Sequence, residues 1–358
     1  MSDDATGTST AEKGLAGVEQ GVASFEEDSP SPIRRLQAFL HAYPTAIPFI
    51  VLIVGIAIFS VAAGPKFFAP FNLSLVLQQV TIIGVLGIAQ TLIILTAGID
   101  LSVGAIMILS SIVMGRLSVV AGVPVEASFV LGIGTGILCG FINGVLVALV
   151  KLPPFIVTLG TWSIYGAMVI FISNSETIRS QDIAAVAPML QWMGARVPIG
   201  GGAVLTAGSM LMILIAAAIW YILNRTAFGR HIYATGDDPE AARLAGINTK
   251  MTLIGVYTLA GFICAIASWV LIGRVGAVSP LGSQTANLDS ITAVVIGGTS
   301  LFGGRGSIVG TLLGALIVGM FRNGLALAGV DVLWQEFAVG ALIILAVTID
   351  QWIRKISA

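Results

Sequence analysis

Charge is scarce in this sequence of 358 residues: Asp, Glu, Lys and Arg make up 10% of it, against 56% hydrophobic residues. Ordinary soluble chains carry about 25% charged residues. So little charge cannot cover a soluble body of this size, and most of the surface must therefore face lipid. The net charge of −1 removes the electrostatic footing for a nucleic-acid partner. The two cysteines, Cys139 and Cys264, both fall in apolar stretches, which leaves neither a disulfide framework nor a C-x-x-C metal site; packing is their simple role. The two histidines, His41 and His231, stand outside the apolar runs, so no intramembrane histidine relay is expected. No G-x-x-x-x-G-K-[ST] is present: the stretch Gly298 to Arg305 reaches a second glycine without a lysine and hydroxyl in register. Nucleotide phosphates therefore have no P-loop cradle here, and no bound cofactor or metal is expected. Neither the G-x-G-D of an aspartyl intramembrane protease nor the G-x-S-x-G of a serine one occurs. The chain is not expected to be an enzyme.

What fills the sequence instead is long apolar runs and 43 glycines. A membrane span needs about 20 apolar residues at 1.5 Å each. Windows that meet or approach this length run over 46–63, 75–97, 103–121, 127–150, 155–173, 203–223, 251–272, 307–326 and 333–349, with a tenth, short and glycine-interrupted, at 291–303. Ten-residue alternating strands, the mark of a barrel, are absent, so helix is the spanning structure. The expected fold is an all-α polytopic membrane protein of about ten transmembrane helices.

Residues 1–33 are unlike the rest. Asp3, Asp4, Glu12, Glu19, Glu26, Glu27 and Asp28 stand against Lys13 alone. Such a segment buries too little apolar area to order itself and is read as a disordered acidic cytoplasmic tail before a permease domain over 34–358. Arg34-Arg35 faintly resembles a twin-arginine signal, but the spans that follow favour a basic anchor before an uncleaved first span. Basic residues also set direction. Arg34 and Arg35, the group Arg225, Arg230, Arg243 and Lys250, and the pair Arg354 and Lys355 all fall on one side if six spans precede the middle group and four follow it. The positive-inside rule then puts both termini in the cytoplasm.

Gly132, Gly136, Gly140 and Gly144 recur every fourth residue, as do Gly306, Gly310 and Gly314. Each row bares backbone along one helix face for close packing. Two breaks carry more. Leu95-Thr96-Ala97-Gly98-Ile99-Asp100-Leu101-Ser102-Val103-Gly104 and Ile296-Gly297-Gly298-Thr299-Ser300-Leu301-Phe302-Gly303-Gly304-Arg305-Gly306-Ser307 each set glycines and a hydroxyl between an apolar run and a new helix. They are candidates for a diverged internal repeat, and broken spans in matching halves of a transporter mark its pathway or gate. Gln90, Gly98, Asp100, Ser102, Asn143, Thr158, Thr161, Gly297 and Gly298 are the candidate pathway or gate residues. A carboxylate at a membrane centre costs about 2.5–3.5 kcal/mol on insertion scales. Asp100 is thus either a pathway group or an N-cap for a helix starting near Leu101; the cap is preferred, and the two roles are compatible.

Within the loop 224–250, Asp238-Pro239-Glu240-Ala241-Ala242-Arg243-Leu244-Ala245-Gly246 has a full set of helix punctuation. Asp238 can cap, Pro239 suits the first position, Glu240 favours the positive end and Gly246 can end the helix left-handed. A two-turn helix of this kind is marginal in water and needs a surface to dock on.

Glu240-Ala241-Ala242 followed by three residues and Gly246 resembles the EAA loop of ABC-importer permeases, without its I-x-L-P continuation. Together with Ala97 to Gly104, Pro154-Phe155-Ile156-Val157-Thr158-Leu159-Gly160-Thr161 and Gly298 to Gly304, residues 45–355 resemble the ribose/xylose/arabinose/galactose branch of bacterial sugar permeases, and within it look most like the fructose import permeases. The resemblance implies a multi-pass protein of the bacterial inner membrane acting as a homodimer. A cytoplasmic ATPase subunit would sit on the coupling helix formed by Asp238, Pro239, Glu240, Ala241, Ala242, Arg243 and Gly246, and a periplasmic sugar-binding protein on the outer loops. Partners are then protein and membrane lipid, with ATP and its magnesium on the other subunit. The competing reading is an ion-coupled secondary transporter of a small polar solute. It would need several intramembrane carboxylates, whereas Asp289, Asp331 and Asp350 fall at span ends and leave Asp100 nearly alone.

Overall fold

The computed structural model describes residues 46–282 and 285–354; the acidic 1–33 tail, the Arg34-Arg35 pair, His41 and Lys355 lie outside the described residues. The chain opens with α1 (Ala46–Ala62), α2 (Pro70–Leu95), α3 (Val103–Gly115, continued by a π turn over Arg116–Val120), α4 (Val125–Ala148) and α5 (Pro154–Ser173). An outer loop follows, with the short α6 (Ser180–Val186), a 3₁₀ turn (Pro188–Gly194) and the strands β1 (Arg196–Gly200) and β2 (Ala203–Thr206). After it come α7 (Ala207–Arg225), α8 (Ala227–Asp237), α9 (Pro239–Leu244), α10 (Thr249–Val275), α11 (Ala286–Ile296), α12 (Ile308–Leu327) and α13 (Val332–Arg354).

Among the described residues, seven helices are long and apolar enough to cross a membrane: α2, α3 with its π turn, α4, α5, α7, α10 and α12. Three shorter apolar segments, Pro48–Ala62, Ala286–Ile296 and Val332–Leu342, occupy the places of the other expected spans. Four expectations need correction. The chain is not wholly helical, because β1 and β2 pair antiparallel with Val197 opposite Leu205; the span placed at 203–223 therefore begins only at Ala207. The span placed at 291–303 begins five residues earlier, at Ala286, and stops at Ile296, where Gly297 and Gly298 take over. The helix after the first break starts at Val103 with Ser102 in the capping position, so Asp100 stands two residues outside the cap it was given. Gly306 lies ahead of α12 and not within it.

Proline opens α2 and α5, where its missing N–H costs nothing. The glycine rows then decide which helices touch. A Cβ at Gly136 would come within 2.6 Å of Gly261 O, and one at Gly144 within 2.9 Å of Ile254 Cα, so α4 and α10 meet backbone to backbone. Gly261 returns the contact, lying against Gly140 Cα. Gly310 and Gly314 seat α12 in the same way against Gly297 and Ala293 of the α11 end. Without a hydrophobic force between helices in lipid, such close approach is what binds them. α2, most enclosed of the seven, forms the centre, while α5 turns most of its surface outward.

Candidate functional site

α2 ends at Leu95, and the chain reverses through Ala97, which adopts a left-handed φ of 60°. It then runs without helix from Ile99 to Ser102 before α3 begins. Backbone groups in such a stretch have no helical partners, and each one left bare in a membrane interior costs several kcal/mol. Here side chains from three helices supply them. The Gln90 amide of α2, oriented by the groups it faces, pairs with both Asp100 N–H and Asp100 C=O at 3.2 Å. Thr158 of α5 donates to Ile99 O at 3.0 Å. Asn287 of α11 donates to Leu101 O at 2.6 Å and accepts from Gly104 N–H at 2.6 Å. Asn287 therefore satisfies one of the orphan donors at the start of α3, the work expected of Asp100.

Asp100 does something related. One carboxylate oxygen accepts from both Ser102 N–H and Ser102 Oγ at 2.6 Å each. Asn143 of α4 donates to Ser102 Oγ at 2.9 Å and reaches the other carboxylate oxygen at 3.5 Å. Tyr165 of α5 closes the chain of bonds, donating to Cys139 O at 3.1 Å with Asn143 Oδ1 at 3.4 Å. Asp100 is 2% exposed and Asn143, Gln90, Thr158 and Ser102 are fully buried. Among the described residues no cation forms an ion pair with Asp100.

Gln90, Asp100, Ser102, Asn143 and Thr158 are thus brought together, and Gly98 borders them: a Cβ there would lie 2.8 Å from the Tyr257 hydroxyl. That hydroxyl is buried and has no hydrogen-bond partner among the described residues. Thr161 is not part of the cluster; its hydroxyl faces back to Thr158 O at 3.4 Å. Asn287 and Tyr165 escaped the sequence reading. An amide in an apolar helix is the signal that finds Asn287, but a span set to begin at 291 left it outside.

Gly297 and Gly298 belong to the second break. Gly298, Gly303 and Gly304 have φ of 82°, 86° and 69°, a region glycine enters at little cost. Gly304 N–H donates to Leu95 O at 3.0 Å, so the two breaks touch. α8 joins them at Gly236, where an added Cβ would meet Leu95 O and lie 2.8 Å from Gly304 N. Tyr233, also on α8, donates to Gly306 O at 2.9 Å.

α8 leads straight into α9. Asp238 accepts from Glu240 N–H at 2.9 Å and Ala241 N–H at 3.0 Å, and Gly246 ends the turn at φ 86°. Arg243 pairs with Glu240 at 2.8 Å on the exposed side, where Leu244 is 81% exposed. Ala242 is buried against its own chain, while Glu240, Ala241, Arg243 and Leu244 are exposed.

Residues 72–347 match the family model described as the branched-chain amino acid transport system / permease component. The chain is 57% identical over 347 residues to the fructose import permease protein of Rhizobium meliloti, covering 97% of this chain and 96% of that protein. It is 37% identical over 314 residues to the ribose import permease protein of Bacillus subtilis (87% and 93% covered). Identity is 33% over 308 residues to the D-allose transport system permease protein of Escherichia coli (86% and 91% covered). No solved structure matches the chain significantly. With seven apolar helices of spanning length folded around two broken segments, and with these relatives over nearly its whole length, the chain belongs to this family of transport-system permease components, as a multi-pass membrane transport subunit and not an enzyme.

Proposed function

We propose that this chain is the translocating subunit of an ATP-binding-cassette importer that carries a monosaccharide, with fructose first among the candidates and ribose next, across the bacterial inner membrane. The observation that carries the proposal is the 57% identity to a fructose import permease across 97% of the chain. ATP hydrolysis resides on a separate cytoplasmic subunit docked on α9, whose exposed Leu244 and Glu240–Arg243 pair suit a helix-in-groove contact. A periplasmic binding protein delivers the sugar to the outer loops, two copies of the chain form the transport unit, and both termini are cytoplasmic. The seven long and three short apolar helices act as ten spans, with the two breaks as matching elements of a diverged repeat.

The buried cluster at Asp100 is proposed as the gate, since a stretch without helix is the part of the path that can rearrange at least cost. Gln90, Gly98, Ser102, Asn143 and Thr158 hold it, Thr161 lies one turn from Thr158, and Gly297 and Gly298 belong to the proposed path through the second break, which touches the first at Gly304 and Leu95. An ion-coupled transporter fits less well: of the buried carboxylates among the described residues, Asp289 is committed to Arg322 at 2.8 Å, which leaves Asp100 as a single site.

Reconstitution decides between them. The chain with its ATPase and binding protein in proteoliposomes should accumulate fructose on addition of ATP. The isolated chain should accumulate none under a proton or sodium gradient, and gradient-driven uptake would overturn the proposal. Leu244→Glu should release the ATPase subunit on purification while the chain still reaches the membrane.

A further inference from the structure

A cavity of about 500 Å³ opens beside the first break, between α3, α5, Pro280, Leu281 and Asn287 of α11. Trp162, Ser163 and Gly166 of α5 line it, opposite Gly104, Leu281 and Asn287. Small-molecule sites run from about 300 to 1,000 Å³ and combine apolar walls with a few placed polar groups. Trp162 is 47% exposed and offers an aromatic face. Asn287 is buried, with only 9% of its surface exposed. It spends one amide N–H on Leu101 O and one lone pair on Gly104 N–H. A carboxamide has two N–H donors and two acceptor lone pairs, so one of each is unspent. Gly166 has no heavy atom within 4 Å of where its Cβ would be, and its missing side chain leaves the cavity open.

A monosaccharide has C–H faces that pack on an aromatic ring and hydroxyls that donate and accept at once. Both are met here. We infer that this cavity is a monosaccharide subsite on the transport path, with Trp162 against the ring face and Asn287 and Ser163 taking its hydroxyls. Asn287 also stitches the first break to α3, so a hydroxyl drawing on its amide acts on the joint that keeps the break closed. The inference rests on the importer function proposed above.

The test uses the full complex in proteoliposomes with fructose as the probe. Gly166→Leu and Gly160→Leu both lie on α5 with nothing within 4 Å of the new Cβ, but only Gly166 borders the cavity. Fructose moved per ATP hydrolysed should fall at least tenfold for Gly166→Leu and stay within twofold for Gly160→Leu. Ser163→Cys should react with a hydrophilic, membrane-impermeant thiol reagent, and fructose with ATP should slow that reaction at least threefold. Cys139 and Cys264 are buried and give a silent background. Equal transport by the two leucine variants, or an introduced thiol that never reacts because lipid fills the cavity, overturns the inference. Failure of the importer function itself appears separately, as an unmodified complex that takes up no sugar.

Discussion

The two breaks solve one problem in opposite ways. Between Ile99 and Ser102 the bare backbone is met by side chains: Gln90, Thr158 and Asn287 arrive from three helices, and Asp100 with Asn143 completes the set. Between Gly297 and Gly306 the chain relies mainly on its own backbone, Ser300 N–H to Arg305 O, Gly303 N–H to Ser300 O and Gly304 N–H to Leu95 O, with side chains adding Ser300 Oγ for Phe302 N–H and the Tyr233 hydroxyl for Gly306 O. A side-chain solution can be adjusted, because an amide or hydroxyl can change partners without moving a helix. A backbone solution leaves no slack, since the atoms in contact are the chain itself. The gate proposed above falls on the first break, where side chains can exchange partners, while Gly236 of α8 is lodged against the second just ahead of the exposed α9.

That contrast can be broken experimentally, starting where the effect should be largest. Gly236→Ala, and more so Gly236→Val, puts a Cβ against Leu95 O and Gly304 N, and no rotamer relieves it. Membrane yield or fructose uptake should fall at least a hundredfold for Val. A normal Gly236→Ala protein would mean that this junction gives way as readily as the other. Next comes Asn287→Ala, which orphans Gly104 N–H and Leu101 O. Each buried orphan costs about 1–3 kcal/mol, to be read as a lowered unfolding temperature of the purified chain. Asn287→Asp should lose at least as much, because it keeps an acceptor for Gly104 N–H but sets a carboxylate, costly inside a membrane, against Leu101 O in place of the amide donor. Stability within about 0.5 kcal/mol of the unmodified chain for the Ala variant, the range of surface substitutions, would show that water serves the break as well as the amide.

Asp100 gives a smaller and more divided effect. Asn keeps an oxygen for both Ser102 donors, so Asp100→Asn should fold and retain reduced but measurable uptake, whereas Asp100→Leu should lose both. A well-assembled Asp100→Asn protein without uptake would make the charge, and not the turn it holds, the working part of the gate. Ala97→Gly should give the smallest change. Its φ of 60° costs a residue with a Cβ about 1–2 kcal/mol, and glycine's added unfolded-state freedom takes back about 0.4–1 kcal/mol, so a small net gain in thermal stability is expected. A loss would mean that the alanine methyl packs against Gly303 by more than its strain.

Much of this arrangement could be read along the chain, because the physics concerned is local or periodic. Apolar runs of spanning length gave the long helices. Glycines at every fourth position gave the faces along which α4 meets α10 and α12 meets α11, since small residues one turn apart stack on one side of a helix whatever surrounds it. Asp238, Pro239 and Gly246 set both ends of α9 through bonds reaching no more than a few residues. The candidate cluster was found as residue types, polar groups where polar groups are expensive, and Gln90, Asp100, Ser102, Asn143 and Thr158 do lie together.

Their bonding was not available in the same way. Asn287 caps a helix whose first turn is 183 residues away, and a cap of that kind exists only once α11 has been packed beside α3. The left-handed turn fell on Ala97 and not on Gly98, because Gly98 is needed bare against Ile93 and Tyr257. Ala242 turned inward because α9 is held by its own chain on that side, which capping signals do not report. The residues fixed where helices begin, end and can touch. Which orphaned backbone group each buried side chain completes was settled by the assembled helices, since a hydrogen bond in lipid is worth forming only with the partner that packing has brought within about 3 Å.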